Sequence, residues 1–265
     1  MAEPYDIYED RELIQYTDGQ EYTVRRHIAK EVPLTIMLNG EELATVLCSP
    51  YALELLALGF LVSEGILQHR DELKSIAYRP EEGAIWVETA TGGAERNEDS
   101  LKRNPARHYG KEGLSLHSLS DDEQVQPVSH TTHFTLRELL GFVTKFNEEA
   151  HNFRLTGGIH EAALAHREGF VVSYEDVGRH NALDRLLGYT FLNDIDTSDK
   201  AVILSGRIAS ERVALVARIG VPVVVSLSAP TCLSIAMAEQ LGITLVGFAR
   251  GNTLNVYTHP DRIVK

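Results

Sequence analysis

The strongest constraint in this chain lies in its second half. Four short apolar runs there, Phe170 to Ser173, Ala201 to Ser205, Pro222 to Leu227 and Ile243 to Phe248, do not alternate between apolar and polar residues. Strands of that kind are buried on both faces. Helical stretches near Arg179 to Leu192, Ala209 to Ile219 and Thr231 to Leu241 separate them. The alternation predicts an α/β fold, a parallel sheet with helices on both faces in three layers. Ahead of this unit, Thr135 and Glu138 read as a capping box that opens a helix through Leu136, Leu139, Leu140, Val143 and Phe146. The run from Ile219 to Ala238 carries no charge and is long enough for a membrane helix. Pro222 and Pro230 break it, and Ser226, Ser228, Thr231 and Ser234 suit lipid poorly, so it reads as buried strand, turn and helix. No membrane association is expected.

The first 90 residues follow a different pattern, that of a small α+β subdomain. Pro33 to Leu38 and Glu41 to Leu47 are strand-like and flank Asn39-Gly40, the pair a type I′ hairpin turn prefers. Ser49-Pro50 supplies a cap and a first-turn proline for a helix through Leu53, Leu56, Ala57, Phe60 and Leu61, which Gly65 ends. Ile76 to Tyr78 and Ala84 to Val87 add two strands. From Thr91 to His133 apolar periodicity fails around the basic cluster Lys102, Arg103, Arg107 and Lys111, which predicts a long mobile loop. The expected plan is a subdomain over 1–90, a loop over 91–133 and an α/β domain over 134–265.

Asp and Glu outnumber Lys and Arg by 38 to 25, and a formal charge of -13 repels phosphate backbones and anionic lipid surfaces. Nucleic acid is therefore disfavoured as a partner. Cys48 and Cys232 are too few for a disulfide framework or a four-thiolate zinc site. Met1 is followed by acidic residues rather than by a basic and then apolar leader, so the cytoplasm is the expected compartment.

Against that acidic background, Arg179, Arg207 and Arg250 are predicted to reach the carboxyl edge of the sheet, where open α/β sheets bind ligands. Glu175-Asp-Val-Gly-Arg-His-Asn181 joins a strand end to a helix start. A cap at Asp176 and a turn at Gly178 would explain two of these residues, but not Arg179, His180 and Asn181 together. Ser205-Gly206-Arg207 follows the next strand, and Arg207 either forks onto a phosphate or carboxylate or pairs with Glu211. Phe248-Ala-Arg-Gly-Asn-Thr253 closes the last strand. Thr156-Gly157-Gly158-Ile159-His160 reads as a glycine pair at a helix start, where backbone amides meet an anion with His160 as an added donor, although a plain loop closure uses the same glycines. Ser228-Ala-Pro-Thr231 turns a strand into a helix whose free N–H groups face the same edge, although Ser and Thr serve equally as plain caps. His160-Glu161 and Pro230-Thr-Cys232 superficially echo a zinc deaminase signature. The spacing is wrong for it, because Glu161 adjoins His160 and Ile235 stands where a second thiolate would be. No metal site is expected.

In order along the chain, Phe153-x-x-Thr-Gly-Gly-x-His160, Glu175-Asp-Val-Gly-Arg-His-Asn-Ala182, Ser205-Gly-Arg207, Ser228-Ala-Pro-Thr231 and Gly247-Phe-Ala-Arg-Gly251 closely resemble the formate dehydrogenase accessory protein family, FdhD. Pro33-Leu-Thr-Ile-Met-Leu-Asn-Gly40 and Gly59-Phe-Leu-Val-Ser-Glu-Gly-Ile66 match its amino-terminal pattern. The resemblance covers about residues 30 to 262 apart from the loop. It implies a sulfur carrier that takes persulfide sulfur from a cysteine desulfurase. The sulfur goes to the molybdenum of the bis-molybdopterin guanine dinucleotide cofactor, held as cargo before it enters formate dehydrogenase. It implies a carboxyl-terminal domain resembling the cytidine deaminase fold. It also implies cofactor binding by Phe248, Ala249, Arg250, Gly251, Asn252 and Thr253. Gly157, Gly158, His160, Asp176, Arg179, His180, Asn181, Ser205 and Arg207 join them as edge residues, GDP serves as a mimic, and a homodimer fits the pattern.

The family carries its sulfur on a C-x-x-C-G-K motif in the loop, whereas this chain has Ala106-Arg-His-Tyr-Gly-Lys111, with Ala106 and Tyr109 at the thiol positions. A persulfide needs a cysteine. Two readings stay open: a sulfur carrier that uses Cys232, expected in the first turn of a helix at the ligand edge, or a non-catalytic cofactor chaperone. A hydrolytic deaminase is the third. Cys48 is expected to be buried and inert.

Overall fold

The protein is described as a computed structural model covering residues 7–90, 127–128 and 132–265. The loop segment around Ala106 and Tyr109, and most of the 91–133 stretch, lie outside the described residues.

The chain opens with a ribbon that has no counterpart in the sequence reading. Strands β1 (Tyr8–Thr17) and β2 (Gln20–Ala29) pair antiparallel with each other. Strands β3 (Val32–Leu38), β4 (Glu41–Cys48), β5 (Leu73–Arg79) and β6 (Ala84–Thr89) then form a four-stranded sheet in the order β4-β3-β6-β5. Asn39 and Gly40 both take positive φ, 51° and 91°, as the type I′ turn between β3 and β4 requires. Helix α1 (Leu53–Ser63) covers this sheet. Its start departs from expectation. Ser49-Pro50 does not cap it, and Ala52, at φ 44°, holds the N-cap position without a side-chain bond. The Ser49 hydroxyl is spent elsewhere, accepting from the Val177 amide at 3.1 Å, while its amide donates to Asp176 and its carbonyl accepts from Arg185.

The second half contains the short strand β7 (Phe134–Thr135) and helices α2 (Leu136–Glu149) and α3 (His151–Thr156). Strands β8 (His160–His166) and β9 (Gly169–Asp176), helix α4 (Arg179–Leu192), β10 (Ala201–Leu204) and α5 (Ser210–Arg218) follow. Then come β11 (Val223–Ser226), α6 (Cys232–Gln240), β12 (Thr244–Arg250), β13 (Thr253–Val256) and β14 (Ile263–Val264), which pairs with β7. The capping box at Thr135 forms as expected, with the Thr135 hydroxyl accepting from the Glu138 amide at 3.1 Å.

The central sheet has six strands in the order β13-β12-β11-β10-β8-β9. The parallel sheet expected from the alternation is present only in part, and the sheet is mixed. β10, β11 and β12 run parallel, while β8, β9 and β13 run antiparallel to their neighbours. Phe170 to Ser173, expected as a buried parallel run, lies in β9, a half-exposed edge strand. The buried position beside β10 is taken by β8, whose Ala162, Ala163 and Ala165 are fully enclosed. Alanine is a poor strand former, which hid β8 from the sequence reading. Along each strand, side chains divide between two cores. Val202, Leu204, Val224 and Leu245 face helices α4, α5 and α6, while Ile203, Val225 and Val246 face α2.

Helices α1 and α4 meet backbone to backbone, tying the amino-terminal sheet to the central one. A Cβ on Gly59 would fall 1.6 Å from the Asp184 carbonyl oxygen, and one on Gly188 would fall 2.0 Å from that of Leu55. Only glycine permits this crossing. Among the described residues, no helix is long and apolar enough to cross a membrane.

Candidate functional site

Strand direction brings the motifs to one edge of the central sheet. β10, β11 and β12 end there, and Ser205-Gly206-Arg207, Ser228 to Thr231 and Arg250-Gly251 follow from them. Because β8 runs the other way it begins there, at His160, and β9 ends there, at Asp176, opposite His160. Helices α4, α5 and α6 all start from this edge.

The glycine pair needs a correction. Gly157, at φ 68°, closes the end of α3 and leads into a strand, so Gly157-Gly158 does not open a helix. His160 still reaches the edge, with Nδ1 3.3 Å from the Ser205 hydroxyl, which accepts from the Glu161 amide at 3.0 Å.

Asp176 and Asn181 lie inward of the edge. Asp176 is wholly buried and accepts from the Ser49 amide (3.0 Å), the Gly178 amide (2.6 Å), Asn181 Nδ2 (2.8 Å) and the Arg185 guanidinium. Arg185, equally buried, also donates to the carbonyls of Ser49 and Tyr51 and stacks on the Tyr51 ring. With every lone-pair direction engaged, Asp176 sets the shape of the Gly178-Arg179-His180 turn and presents no acceptor to a ligand. The Arg185 partner, 9 residues away on α4, was not singled out from sequence.

Arg179 and Arg207 are exposed, and neither has a hydrogen-bond or ion-pair partner among the described residues. Glu211, the simple partner considered for Arg207, instead pairs with His180 Nε2 at 3.2 Å. Arg250 stands apart from these two. It extends from β12, two strands from β10, or about 10 Å at the usual strand spacing. Its Nε donates to the Leu227 carbonyl at 3.0 Å. Phe248, just before it, takes φ 51° at a register shift in the β12–β13 pairing and is 45% exposed. Non-glycine residues held in this region are strained, and such positions cluster at ligand sites. Gly251 lines an open cleft of about 510 Å³ with Thr144, Asn147, Glu148 and Arg154. Asn252 and Thr253 complete the exposed turn into β13.

Cys48 is buried, and desolvation, reinforced by the Asp176 carboxylate, pushes its thiol up to about 12. It is inert, as expected. Cys232 is exposed as the first residue of α6, after Thr231, whose hydroxyl caps the helix by accepting from the Ser234 amide. The strands from which Cys232 and His160 extend, β11 and β8, are two spacings apart in the sheet.

A buried carboxyl pair was not anticipated. Glu161 and Glu175 face each other across β8 and β9, and one oxygen of each is buried without a hydrogen-bond partner among the described residues. Asn152 of α3 holds the other Glu175 oxygen. Desolvation, then the Glu175 and Glu149 charges, push Glu161 up to about 8, and burial raises Glu175 as well. A carboxyl raised on folding contributes stability that is complete below its unfolded value, about 4.3, and is lost as pH climbs through its folded value. Unfolding free energy is therefore expected to decline from about pH 5 to 8, by at most about 1.4 kcal/mol per pH unit from this group. Glu161→Gln should flatten that slope. Denaturant melts across this range check it, and an unchanged slope in the variant would contradict the assignment.

Fold and edge together define a mixed α/β protein with exposed arginines at one edge of its central sheet. The chain belongs to the FdhD/NarQ family, whose pattern matches residues 29–264. It is 40% identical over 259 residues to the sulfur carrier protein FdhD of Staphylococcus aureus MRSA252, covering 98% of this chain and 97% of that one. Identity to the FdhD of strain Newman is 39% at the same coverage. A solved structure from Desulfotalea psychrophila, described as a formate dehydrogenase accessory protein, superposes with a TM-score of 0.81 at 26% identity. That match covers 97% of this chain and all of the other. The resemblance drawn from the ordered motifs is borne out.

Proposed function

We propose that this chain serves formate dehydrogenase maturation by binding the guanine dinucleotide ends of the bis-molybdopterin cofactor along the carboxyl edge of its central sheet. The observation that carries this reading is the concentration of unpaired, exposed arginine at one edge of a protein whose formal charge is -13. The phosphates of the cargo supply the matching charge. Arg250 and the Phe248 to Thr253 turn serve one part of the ligand, and Arg179, Arg207, His160 and Ser205 serve another. Asp176 and Asn181 hold the intervening turn in place. The layered sheet is read as a deaminase-like scaffold put to cofactor binding. The loop, amino-terminal and carboxyl-terminal spans act as parts of one cofactor-handling protein.

The sulfur step of the family rests on a thiol, and Ala106 and Tyr109 have none. Cys232 is exposed as the first residue of α6, at the same sheet edge, where an incoming persulfide can reach its thiol. The chain is therefore either a carrier that uses Cys232, fed by a cysteine desulfurase, or a cofactor chaperone without sulfur chemistry. Incubation with a desulfurase and labelled cysteine, followed by persulfide mapping, separates them. Label lost only in Cys232→Ala supports the carrier. No label, with cofactor still bound, supports the chaperone, and label confined to Cys48 contradicts both.

Calorimetry with GDP tests the binding itself. Arg207→Ala and Arg250→Ala should each weaken binding by about 1.5–3 kcal/mol, the worth of a hydrogen bond to a charged group. Wild-type affinity in both variants overturns the reading.

A further inference from the structure

Arg212 lies in the first turn of α5, and the sequence reading gave it no role. It is 1% exposed, and its Nε and Nη2 are buried without a hydrogen-bond partner among the described residues. A guanidinium carries five donors and does not normally give up water without an acceptor. Its surroundings are mixed, with Glu211 and Asp184 favouring the cation and Arg179 and Arg207 opposing it. A Cβ built on Gly206 would stand 3.5 Å from Arg212 Nη1, 3.6 Å from His160 Nδ1 and 3.8 Å from the Arg179 Cβ, so these groups ring the same small space. Arg207 is the next residue in the chain. The helix start beneath adds free amides, because Ala209 at the N-cap offers no side-chain bond.

We propose that the space over Gly206 binds a phosphate or pyrophosphate group, with Arg212 as its floor, Arg179 and Arg207 as its walls and His160 as an additional donor. Burial, then the like charge of Arg179, pulls the Arg212 guanidinium down to about 10, so it remains a cation at neutral pH. Burial and the same two arginines, Arg212 and Arg179, lower His160, which favours its neutral form. A bound dianion satisfies the buried donors and removes the mutual repulsion of the arginines in one step. A purely structural role for Arg212 leaves its buried Nε and Nη2 donors unmatched.

The site is separate from the turn at Gly251. Between β12 and β8 lie three strand spacings, about 14 Å. The ligand's source is either a free anion or a phosphate of a guanine nucleotide, and only the second rests on the function proposed above.

The test uses the full chain with inorganic pyrophosphate, GDP and guanosine, followed by calorimetry and thermal melting at low chloride. Pyrophosphate should bind and raise the melting temperature. Arg212→Met should lose pyrophosphate affinity by at least about 10- to 100-fold, the loss of a charge-assisted bond, while melting at or above wild type without ligand, since an unmatched buried charge is gone. Arg212→Lys should bind with intermediate affinity. Arg179→Ala and Arg207→Ala, both at the surface, should each weaken binding while leaving the unliganded melt unchanged. The proposal is overturned if pyrophosphate leaves wild type unaffected, if Arg212→Met binds as wild type does, or if the Arg212 variants melt far lower and the two surface variants bind normally. Pyrophosphate binding that depends on Arg212, with GDP no tighter than pyrophosphate, supports this site and defeats the guanine dinucleotide reading. GDP and pyrophosphate binding that both survive Arg212→Met leave that reading standing and defeat this one. Guanosine binding as tightly as GDP also overturns the phosphate assignment.

Discussion

Asp176→Ala is expected to lower unfolding free energy by about 3–5 kcal/mol, the usual cost of removing one member of a buried ion pair. The loss is large because Arg185, wholly buried, would keep its charge with only carbonyl acceptors left. The Ser49, Gly178 and Asn181 donors would lose their acceptor at the same time. The damage should therefore reach both halves of the chain, since these bonds join the segment after β4 to the turn before α4. Equilibrium denaturation checks the figure, with loss of nucleotide affinity as a secondary readout. A change below about 1 kcal/mol, the range of an exposed pair, would contradict the role given to Asp176.

An effect of similar size is expected at the crossing of α1 and α4. Gly188→Ala would drive a methyl group to 2.0 Å from the Leu55 carbonyl oxygen, and Gly59→Ala to 1.6 Å from that of Asp184. Backbone atoms cannot turn aside as side chains do, so the helices must separate and expose the apolar cluster around Leu56, Leu61, Leu183 and Leu187. Overpacking of a tight core costs about 1–3 kcal/mol, and clashes of this depth belong at or above the upper end. Gly141→Ala is the matched control. It lies in α2 with nothing within 4 Å of the added carbon, and should stabilise by about 0.4–1 kcal/mol. Denaturation of the three variants under one set of conditions decides the matter, and equal effects at all three sites would refute the crossing.

Local rules were legible where one stretch of sequence carried the whole signal. The range Arg179 to Leu192 for α4, the Asn39-Gly40 turn and the Thr135–Glu138 box all reflect interactions within a few residues. What the sequence hid depends on distant partners. β8 is alanine-rich and becomes a strand because it is buried between β9 and β10. The β1–β2 ribbon carries charged runs such as Glu9 to Glu12 and no clear apolar face. Ser49-Pro50 looks like a helix cap until the amide of Val177, 128 residues away, is seen to claim the Ser49 hydroxyl. The edge motifs were visible as clusters, but their division of labour was not. Asp176 resembles its exposed neighbours in sequence and differs from them only in burial, and Arg212 looks like any arginine in a helical first turn.

The central claim is that the arginine-lined edge carries a guanine dinucleotide cargo. Its most direct test is mass spectrometry of small molecules released from the protein after purification from a molybdenum-replete host. The account predicts bis-molybdopterin guanine dinucleotide in wild type and its loss in an Arg207→Ala, Arg250→Ala double variant that remains folded. Wild-type protein free of the cofactor, while an FdhD bearing both loop cysteines retains it when purified in the same way, would contradict the account.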